Sequence, residues 1–164
     1  MVAYSFNRRF VDHVAAGLEA GPWCPGMKRH TLRAPRLGRQ GHARPEQPVH
    51  LYTGMRTRQC RLIGRAVARV QIPVLLHWDG EQLGLMLREG AVPRSHLADL
   101  APIVVKIMIT PIGRRLHRDE MDEFARTDGF ADAAEMAAFF DPPADLAPCV
   151  KELVLIGWSP AEPG

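Results

Sequence analysis

A lysine, a threonine and an arginine stand close together in the segment GMKRHTLR, at positions 28, 31 and 33. On a strand, Thr31 and Arg33 share one face, because strand side chains alternate with a period of two. Lys28 lies three residues before Thr31, and Gly26 permits a turn or bulge that brings the lysine round to that face. Burial and neighbouring positive charge lower the pKa of a lysine, which then accepts a proton from a hydroxyl such as that of Thr31. Lys28 and Thr31 are therefore candidate catalytic residues. The alternative is that the segment is a basic loop of solvated side chains.

A second stretch, HLYTGMRTRQCR at residues 50–61, interleaves aromatic and basic residues. Tyr52 is placed to stack on a nucleobase, while Arg56 and Arg58 are placed to meet phosphates. The alternative is an ordinary strand that buries Tyr52 in the core and leaves the arginines in solvent. We predict Tyr52 and Arg56, together with Arg29 and Arg33 of the first segment, as substrate-binding residues.

Positive charge is concentrated in the first part of the chain. Residues 1–70 hold 13 Lys or Arg against 3 Asp or Glu, whereas residues 71–164 hold 8 against 15. If the two parts fold together, the basic part offers a surface for phosphate or another anion. The alternative is that these charges are scattered over the surface and solvated.

Strands dominate the predicted secondary structure. Alternating or β-branched segments predict strands over residues 2–6, 49–54, 59–72, 74–87 (a hairpin about Asp79-Gly80), 103–110 and 152–158. Apolar residues at helical spacing predict helices over residues 8–20 and 118–127, with Gly129 placed for a left-handed cap. Asp132 and Glu135 have the residue types of a capping box that begins a further helix. Because strands and helices do not alternate regularly, we predict an α+β fold: a small mixed β-barrel with flanking helices.

The segment GMKRHTLR resembles the G-x-K-x-x-T-x-R signature of ASCH domains, which belong to the PUA-like superfamily. Three further segments are similar to those of the family, in the same order: VHLYTGMRT (49–57), EFARTDGF (123–130) and LVLIGW (153–158). The resemblance implies one PUA-like domain over residues 1–164. Compared with the family, the chain has apparent insertions near residues 18–27 and 71–102.

The resemblance also implies a cleft that binds RNA or a modified nucleoside. Some bacterial members hydrolyse the amide of acetylated cytidine with a lysine, a threonine and a downstream acid, which fall here on Lys28, Thr31 and Asp128. The acid in those members is the longer glutamate, and the alternative for Asp128 is a turn residue before Gly129. We therefore expect a protein that binds RNA or a modified nucleoside in a basic cleft, with hydrolysis of the amide of an acylated cytidine as its candidate activity. The alternatives are a ribonuclease, a non-catalytic RNA-binding module and a protein adaptor.

Composition and cysteine spacing argue against a membrane-spanning, secreted or metal-binding protein. No apolar run approaches the roughly 20 residues that a membrane-spanning helix needs, and the N-terminus lacks the apolar segment of a signal peptide. Three cysteines, odd in number and far apart, predict reduced thiols and a cytoplasmic protein. Cys24, His30, Cys60 and His77 form no C-x-x-C or H-x-x-x-H pair, so we predict neither a metal site nor a cofactor.

Overall fold

The structure is a computed structural model that describes residues 1–38, 40–79, 82–88, 95–109, 113–116, 118–140 and 149–162. It is an α+β fold with a mixed seven-stranded sheet. The strands are β1 (Val2–Phe6), β2 (His30–Arg33), β3 (Pro48–Thr53), β4 (Arg61–Trp78), β5 (Leu83–Leu87), β6 (Arg115–Leu116) and β7 (Cys149–Pro160). The helices are α1 (Val11–Ala16), α2 (Pro102–Ile109), α3 (Asp119–Thr127) and α4 (Ala133–Phe140), with 3-10 turns at Arg8–Phe10 and Leu97–Asp99.

The long strand β4 organises the sheet. Antiparallel β3 and β5 pair with the two ends of one edge of β4, and antiparallel β7 pairs with its other edge. Beyond these strands, β1 runs parallel to β3, β2 runs antiparallel to β7, and β6 pairs with β5. One continuous path of pairing therefore runs β1-β3-β4-β7-β2, and the two strands at its ends are those that flank the candidate lysine.

The sheet is open between β1 and β2, so the structure shows the predicted α+β class but not a closed barrel. Arginine side chains bridge this gap. Arg33 Nη2 donates to the carbonyl of Ser5 at 2.7 Å, and Arg36 Nη2 donates to the carbonyl of Ala3 at 3.0 Å. These two carbonyls lie on the free edge of β1, where a paired strand would otherwise supply backbone N–H groups.

One hydrophobic core joins the sheet to the helices. Tyr4 and Phe6 of β1 face inward, and Phe6 meets the fully buried Trp158 of β7 edge to face at 5.8 Å between ring centroids. Met121 and Phe124 of α3 are buried against the same core. Within the described residues, none of the helices has the length and apolar character required to cross a bilayer.

Most predicted elements are confirmed, with shifted boundaries. The strands at 2–6, 49–54 and 152–158, the 118–127 helix and the hairpin are present, although Gly80 lies outside the described residues. Gly129 has the expected positive φ of 99°, and Asp132 Oδ1 accepts the Glu135 N–H at 2.8 Å. The predicted 8–20 helix ends earlier, at Gly17, where the chain packs against the segment that leads into β2.

The predicted strand at 103–110 is wrong, because residues 102–109 form helix α2. Its β-branched residues favour a strand locally, but Pro102 occupies the first helical turn, where a missing N–H costs nothing. Ile103, Val104, Ile107 and Met108 are buried, a spacing that fits one face of a helix. Packing of that face against the core overrides the local strand preference.

Candidate functional site

Lys28 and Asp128 form a buried ion pair. The two residues are 100 positions apart in the sequence and only 2% and 3% exposed. Lys28 Nζ donates to the backbone carbonyl of Asp128 at 2.6 Å and also to its carboxylate Oδ1. The structure thus brings together two of the three predicted catalytic residues.

Two close backbone approaches hold this pair in place. The Lys28 N–H donates to the His13 carbonyl at 2.8 Å, and a Cβ on Gly17 would lie 2.3 Å from the Lys28 carbonyl oxygen. At the other partner, Asp128 ends helix α3, and Gly129 follows in a left-handed conformation. A Cβ on Gly129 would lie 2.8 Å from the Phe10 ring, so only glycine fits there without displacement.

The ion pair lines a small cavity of about 90 Å³, which we call the Lys28 cavity. Lys28, Thr31, Arg33 and Asp128 supply its charged and hydroxyl groups. Its apolar walls include the aromatic side chains of Phe6, Phe10, Phe130, Phe139 and Phe140. Pockets that enclose a drug-sized ligand usually exceed about 300 Å³, so this cavity has room for only a small group.

Burial moves both members of the pair toward their neutral forms. Burial lowers the pKa of the Lys28 ammonium from its ordinary 10.5, although the Asp128 carboxylate acts in the opposite direction. Burial likewise raises the pKa of Asp128, against the influence of Lys28. A lysine with a lowered pKa exchanges protons more readily near neutral pH, which is the property that a general base needs.

His30 is a site residue that sequence reasoning placed only in an unsupported metal site. Its ring is 1% exposed and lies 5.1 Å from the Phe124 ring, centroid to centroid. His30 Nε2 lies 3.5 Å from Asp128 Oδ1, yet within the described structure neither ring nitrogen makes a hydrogen bond. Burial lowers the pKa of His30 well below its ordinary value, so a neutral imidazole lies beside the ion pair. The sequence signal for His30 was its position directly before Thr31 on the strand. Side chains alternate along a strand, so the His30 ring lies on the face opposite to the Thr31 side chain.

Thr31 and Arg33 line the same cavity. Thr31 is buried, and in the part of the chain that is described its hydroxyl makes no hydrogen bond, including none to Lys28. The guanidinium carbon of Arg33 lies 4.8 Å from the Phe6 ring centroid, a cation–π distance. Arg33 Nε is buried without a hydrogen-bond partner among the described residues.

The structure places Arg29 away from the cavity, although it follows Lys28 directly. Arg29 is fully buried, and its guanidinium donates to four backbone carbonyls at 2.7–3.0 Å, those of Gly17, Glu19, Gly21 and Asp99. These bonds secure the 17–21 segment, within the stretch that was predicted as an insertion. The guanidinium predicted to bind substrate is therefore committed to backbone groups.

Tyr52 and Arg56 also lie outside the Lys28 cavity. Tyr52 is half-buried beside His50 on the outer face of β3, because the alternating residues Val49 and Leu51 face the core. Arg56 is exposed, with a positive φ of 67°, and lines a separate groove of about 550 Å³. The predicted set thus divides into four cavity residues, one backbone clamp and two residues elsewhere.

No family model, curated protein or solved structure matches this chain. Among the described residues, no three or more His, Cys, Asp or Glu side chains are arranged to hold a metal ion. Inferences about function therefore rest on the geometry of the Lys28 cavity and on the sequence resemblance.

Proposed function

We propose that this chain is an ASCH-type, PUA-like protein that binds an acylated nucleobase, such as that of acetylated cytidine, and hydrolyses its amide. The supporting observation is the buried pair of Lys28 and Asp128 in an aromatic-walled cavity that also contains the unbonded hydroxyl of Thr31. The open path β1-β3-β4-β7-β2 supports the barrel assignment, since pairing of β1 with β2 would close it.

The cavity suits a small planar group better than a whole nucleoside. Aromatic walls bind planar groups by stacking or edge contacts, and the limited volume leaves the sugar outside. Arg33 lines the cavity, so its guanidinium is placed to donate to the carbonyl oxygen of an acyl amide. A charged donor at that oxygen stabilises the negative charge that develops when the carbonyl carbon is attacked.

Thr31, Lys28 and Asp128 take distinct roles in the proposed reaction. Thr31 Oγ attacks the amide carbonyl carbon while the neutral Lys28 amine accepts its proton. The C–N bond then breaks, and the Lys28 ammonium returns this proton to the leaving amino group of the nucleobase. Water hydrolyses the resulting Thr31 ester, again with Lys28 as base, which releases a carboxylic acid and restores the hydroxyl.

The role of Asp128 follows from its position. Its carboxylate stabilises the Lys28 ammonium that forms during attack, and it holds the amine within the cavity. Because Lys28 bonds to Asp128 and not to Thr31 in this structure, the amine must turn toward the hydroxyl when substrate binds. In unliganded sites, catalytic hydrogen bonds are often long and tighten only with substrate.

An assay of acetylated cytidine hydrolysis, in which the released acetate is measured, tests this function. Lys28→Arg keeps the charge but removes the base, and Thr31→Val keeps the shape but removes the hydroxyl. Each is expected to lower kcat by about 10²–10⁴-fold, whereas Thr31→Ser retains part of the activity. The matched control Lys106→Arg, on helix α2, should match the wild type. Full activity in Lys28→Arg would exclude the mechanism, and an inactive wild-type protein would exclude the function.

A non-catalytic RNA-binding module is the second candidate. The groove that contains Arg56 also contains Arg36 and Arg44, which supports phosphate binding without any chemistry. The same assay separates the two functions, because a binding module would retain RNA and release no acetate from the acetylated base.

A further inference from the structure

A second concave surface lies beside the Lys28 cavity. It has a volume of about 550 Å³ and is lined by the N-terminal residues 1–3, by Arg36, Arg44 and Arg56, and by His42. We call it the arginine groove. No carboxylate of the described residues lines it, so its charged groups are all cationic or titrate toward positive charge.

The three arginines of the groove are available to a ligand. Arg36 is held in place, because it donates to the Ala3 carbonyl at 3.0 Å and its guanidinium carbon lies 5.0 Å from the Tyr4 ring centroid. A guanidinium has five N–H donors, so most of those on Arg36 remain free. Among the residues that the structure describes, neither Arg44 nor Arg56 makes a side-chain hydrogen bond or ion pair.

Backbone geometry supports a ligand-related role for Arg56. Its φ of 67° lies in the left-handed region, which costs a non-glycine residue roughly 1 kcal/mol or more. Such strain persists where surrounding structure enforces it, and it concentrates at binding sites. Here it presents a free guanidinium at the groove.

The groove and the Lys28 cavity are lined by successive parts of strand β1, the groove by Val2 and Ala3 and the cavity by Ser5 and Phe6. Arg36 bonds to the carbonyl of Ala3 in the groove, and Arg33 bonds to the carbonyl of Ser5 at the cavity. Residues two apart on a strand are separated by about 6.6 Å. A single-stranded polyanion that lies along β1 would therefore pass both places.

We infer that the arginine groove binds the phosphodiester groups of a single-stranded nucleic acid, so that the base in the Lys28 cavity belongs to a polynucleotide. Three guanidinium groups without an opposing acid suit several linked phosphates, because each planar fork binds phosphate oxygens in pairs. The assignment of the base rests on the proposed function, but binding in the groove does not depend on catalysis.

Binding of a fluorescein-labelled, unacylated hexanucleotide, measured by fluorescence anisotropy, tests the groove. The experiment is done with RNA and with DNA, and the comparison identifies the preferred sugar. Three phosphate contacts to a single strand predict a slope of about −2 for log Kobs against log salt, or about 20-fold weaker binding between 50 and 200 mM salt. In the double variant Arg44→Ala/Arg56→Ala, one contact remains and the weakening should fall to about threefold. The control Arg88→Ala/Arg114→Ala removes the same charge elsewhere and should retain the 20-fold change.

Three outcomes would overturn the inference. These are a flat salt response in the wild type, equal losses in the groove and control variants, and displacement of the oligonucleotide by poly-glutamate at equal charge concentration. The last outcome would indicate a general acidic-polymer site. Because the oligonucleotide carries no acyl group, a failure of amide hydrolysis leaves this binding result standing, and a failed groove leaves hydrolysis of the free nucleoside standing.

Discussion

The chain contains only three lysines, Lys28, Lys106 and Lys151, and one of them lies in the core. Lysine is rarely buried, since desolvation disfavours its charge, and where it is buried it is usually paired, as Lys28 is with Asp128. This scarcity makes the candidate base directly observable, because labelled lysine side chains give only three signals.

We expect the Lys28 signal to titrate below the ordinary lysine pKa of 10.5. Burial lowers the pKa of Lys28 below 10.5, so its ammonium loses the proton at lower pH than an exposed lysine does. In the proposed reaction the neutral amine is the base, so the rate of amide hydrolysis should rise with pH through that same titration. NMR of ¹³Cε-labelled lysine against pH measures it, with Lys28→Arg to assign the signal. A Lys28 signal that titrates at or above 10.5 would contradict the lowered pKa.

Arg29 shows what charge alone conceals. The sequence presents Arg29 and Arg33 as equivalent members of one basic cluster, because composition contains no information on burial. In the structure, one guanidinium binds four backbone carbonyls and the other lines the cavity. Contacts with residues distant in sequence, such as Asp99, make that difference.

Replacing Arg29 by alanine should strongly destabilise the fold. Removal leaves four carbonyls without their donor, and buried unsatisfied groups cost about 1–3 kcal/mol each, partly relieved by water. We expect the free energy of unfolding to fall by about 3–5 kcal/mol in urea denaturation. Arg58→Ala, at an exposed position, is the control and should change stability by less than about 0.5 kcal/mol. A loss below about 1 kcal/mol in Arg29→Ala would contradict the clamp.

At the scale of elements, local signals predicted the helices that have them. Helix α3 has three acids in its first turn, and α4 begins with the capping bond from the Glu135 N–H to Asp132. Helix α2 lacks a comparable signal, so its β-branched residues predicted a strand. Its helical burial pattern exists in the sequence, but only the core against which it packs distinguishes the two alternatives.

Glu135 links the start of α4 to the 3-10 turn that precedes α1. Its carboxylate accepts the Ala131 N–H at 2.5 Å and pairs with Arg9, and these contacts hold the pKa of Glu135 below its ordinary 4.5. A lowered carboxylate pKa contributes stability above pH 4.5 that is lost as pH falls through the folded-state value. Glu135→Gln should therefore lower Tm at pH 7, with a difference from wild type that shrinks below pH 4.5.

Thermal unfolding followed by circular dichroism at several pH values measures this effect. Glu123→Gln is the matched control, because Glu123 is exposed on α3 and has no resolved contact among the described residues. A Tm difference that is constant from pH 7 to pH 3 would show that the charge of Glu135 is not the cause.

At the scale of the whole molecule, the sequence's charge asymmetry is only partly a surface property. The basic first part was predicted to offer an anion-binding surface, yet Arg29 and Arg69 are buried. Arg69 donates to Ser159, and Arg29 donates to backbone carbonyls, so both are structural. The exposed remainder includes the arginines of the groove and others elsewhere on the surface, such as Arg8 and Arg58. A count of charged residues therefore overstates the positive charge at the surface, because some arginines donate to buried acceptors.

The open edge of the sheet makes a measurable prediction for amide exchange. On β1, the backbone C=O and N–H groups of Ala3 and Ser5 point toward the gap to β2. The backbone N–H and C=O groups of Tyr4 and Phe6 point the other way, toward β3. We expect fast hydrogen exchange at Ala3 and Ser5 and slow exchange at Tyr4 and Phe6, as measured by NMR. Equal protection of all four would mean that β1 pairs with β2 in solution and that the barrel closes.

The α+β class, most elements and the four cavity residues were within reach of sequence reasoning. The segment GMKRHTLR predicted Lys28, Thr31 and Arg33 from spacing, whereas Asp128 needed the resemblance. His30 was missed as a neighbour of the ion pair, because its importance comes from burial against Phe124 and not from residue type. The gap between β1 and β2 was missed because strand order depends on contacts between distant segments.

The pairing of β2 solely with β7 has a consequence for synthesis of the protein. Within the described structure, the strand that leads from Lys28 through Thr31 and Arg33 finds its partner only at residues 154–157. Asp128 also lies 100 residues beyond the lysine that it holds. During translation, the early segment must therefore wait, unpaired, until almost all of the chain described here has left the ribosome. Assembly of the Lys28 cavity is thus a late event of folding, and a fragment that lacks β7 would have no strand against which β2 could pair.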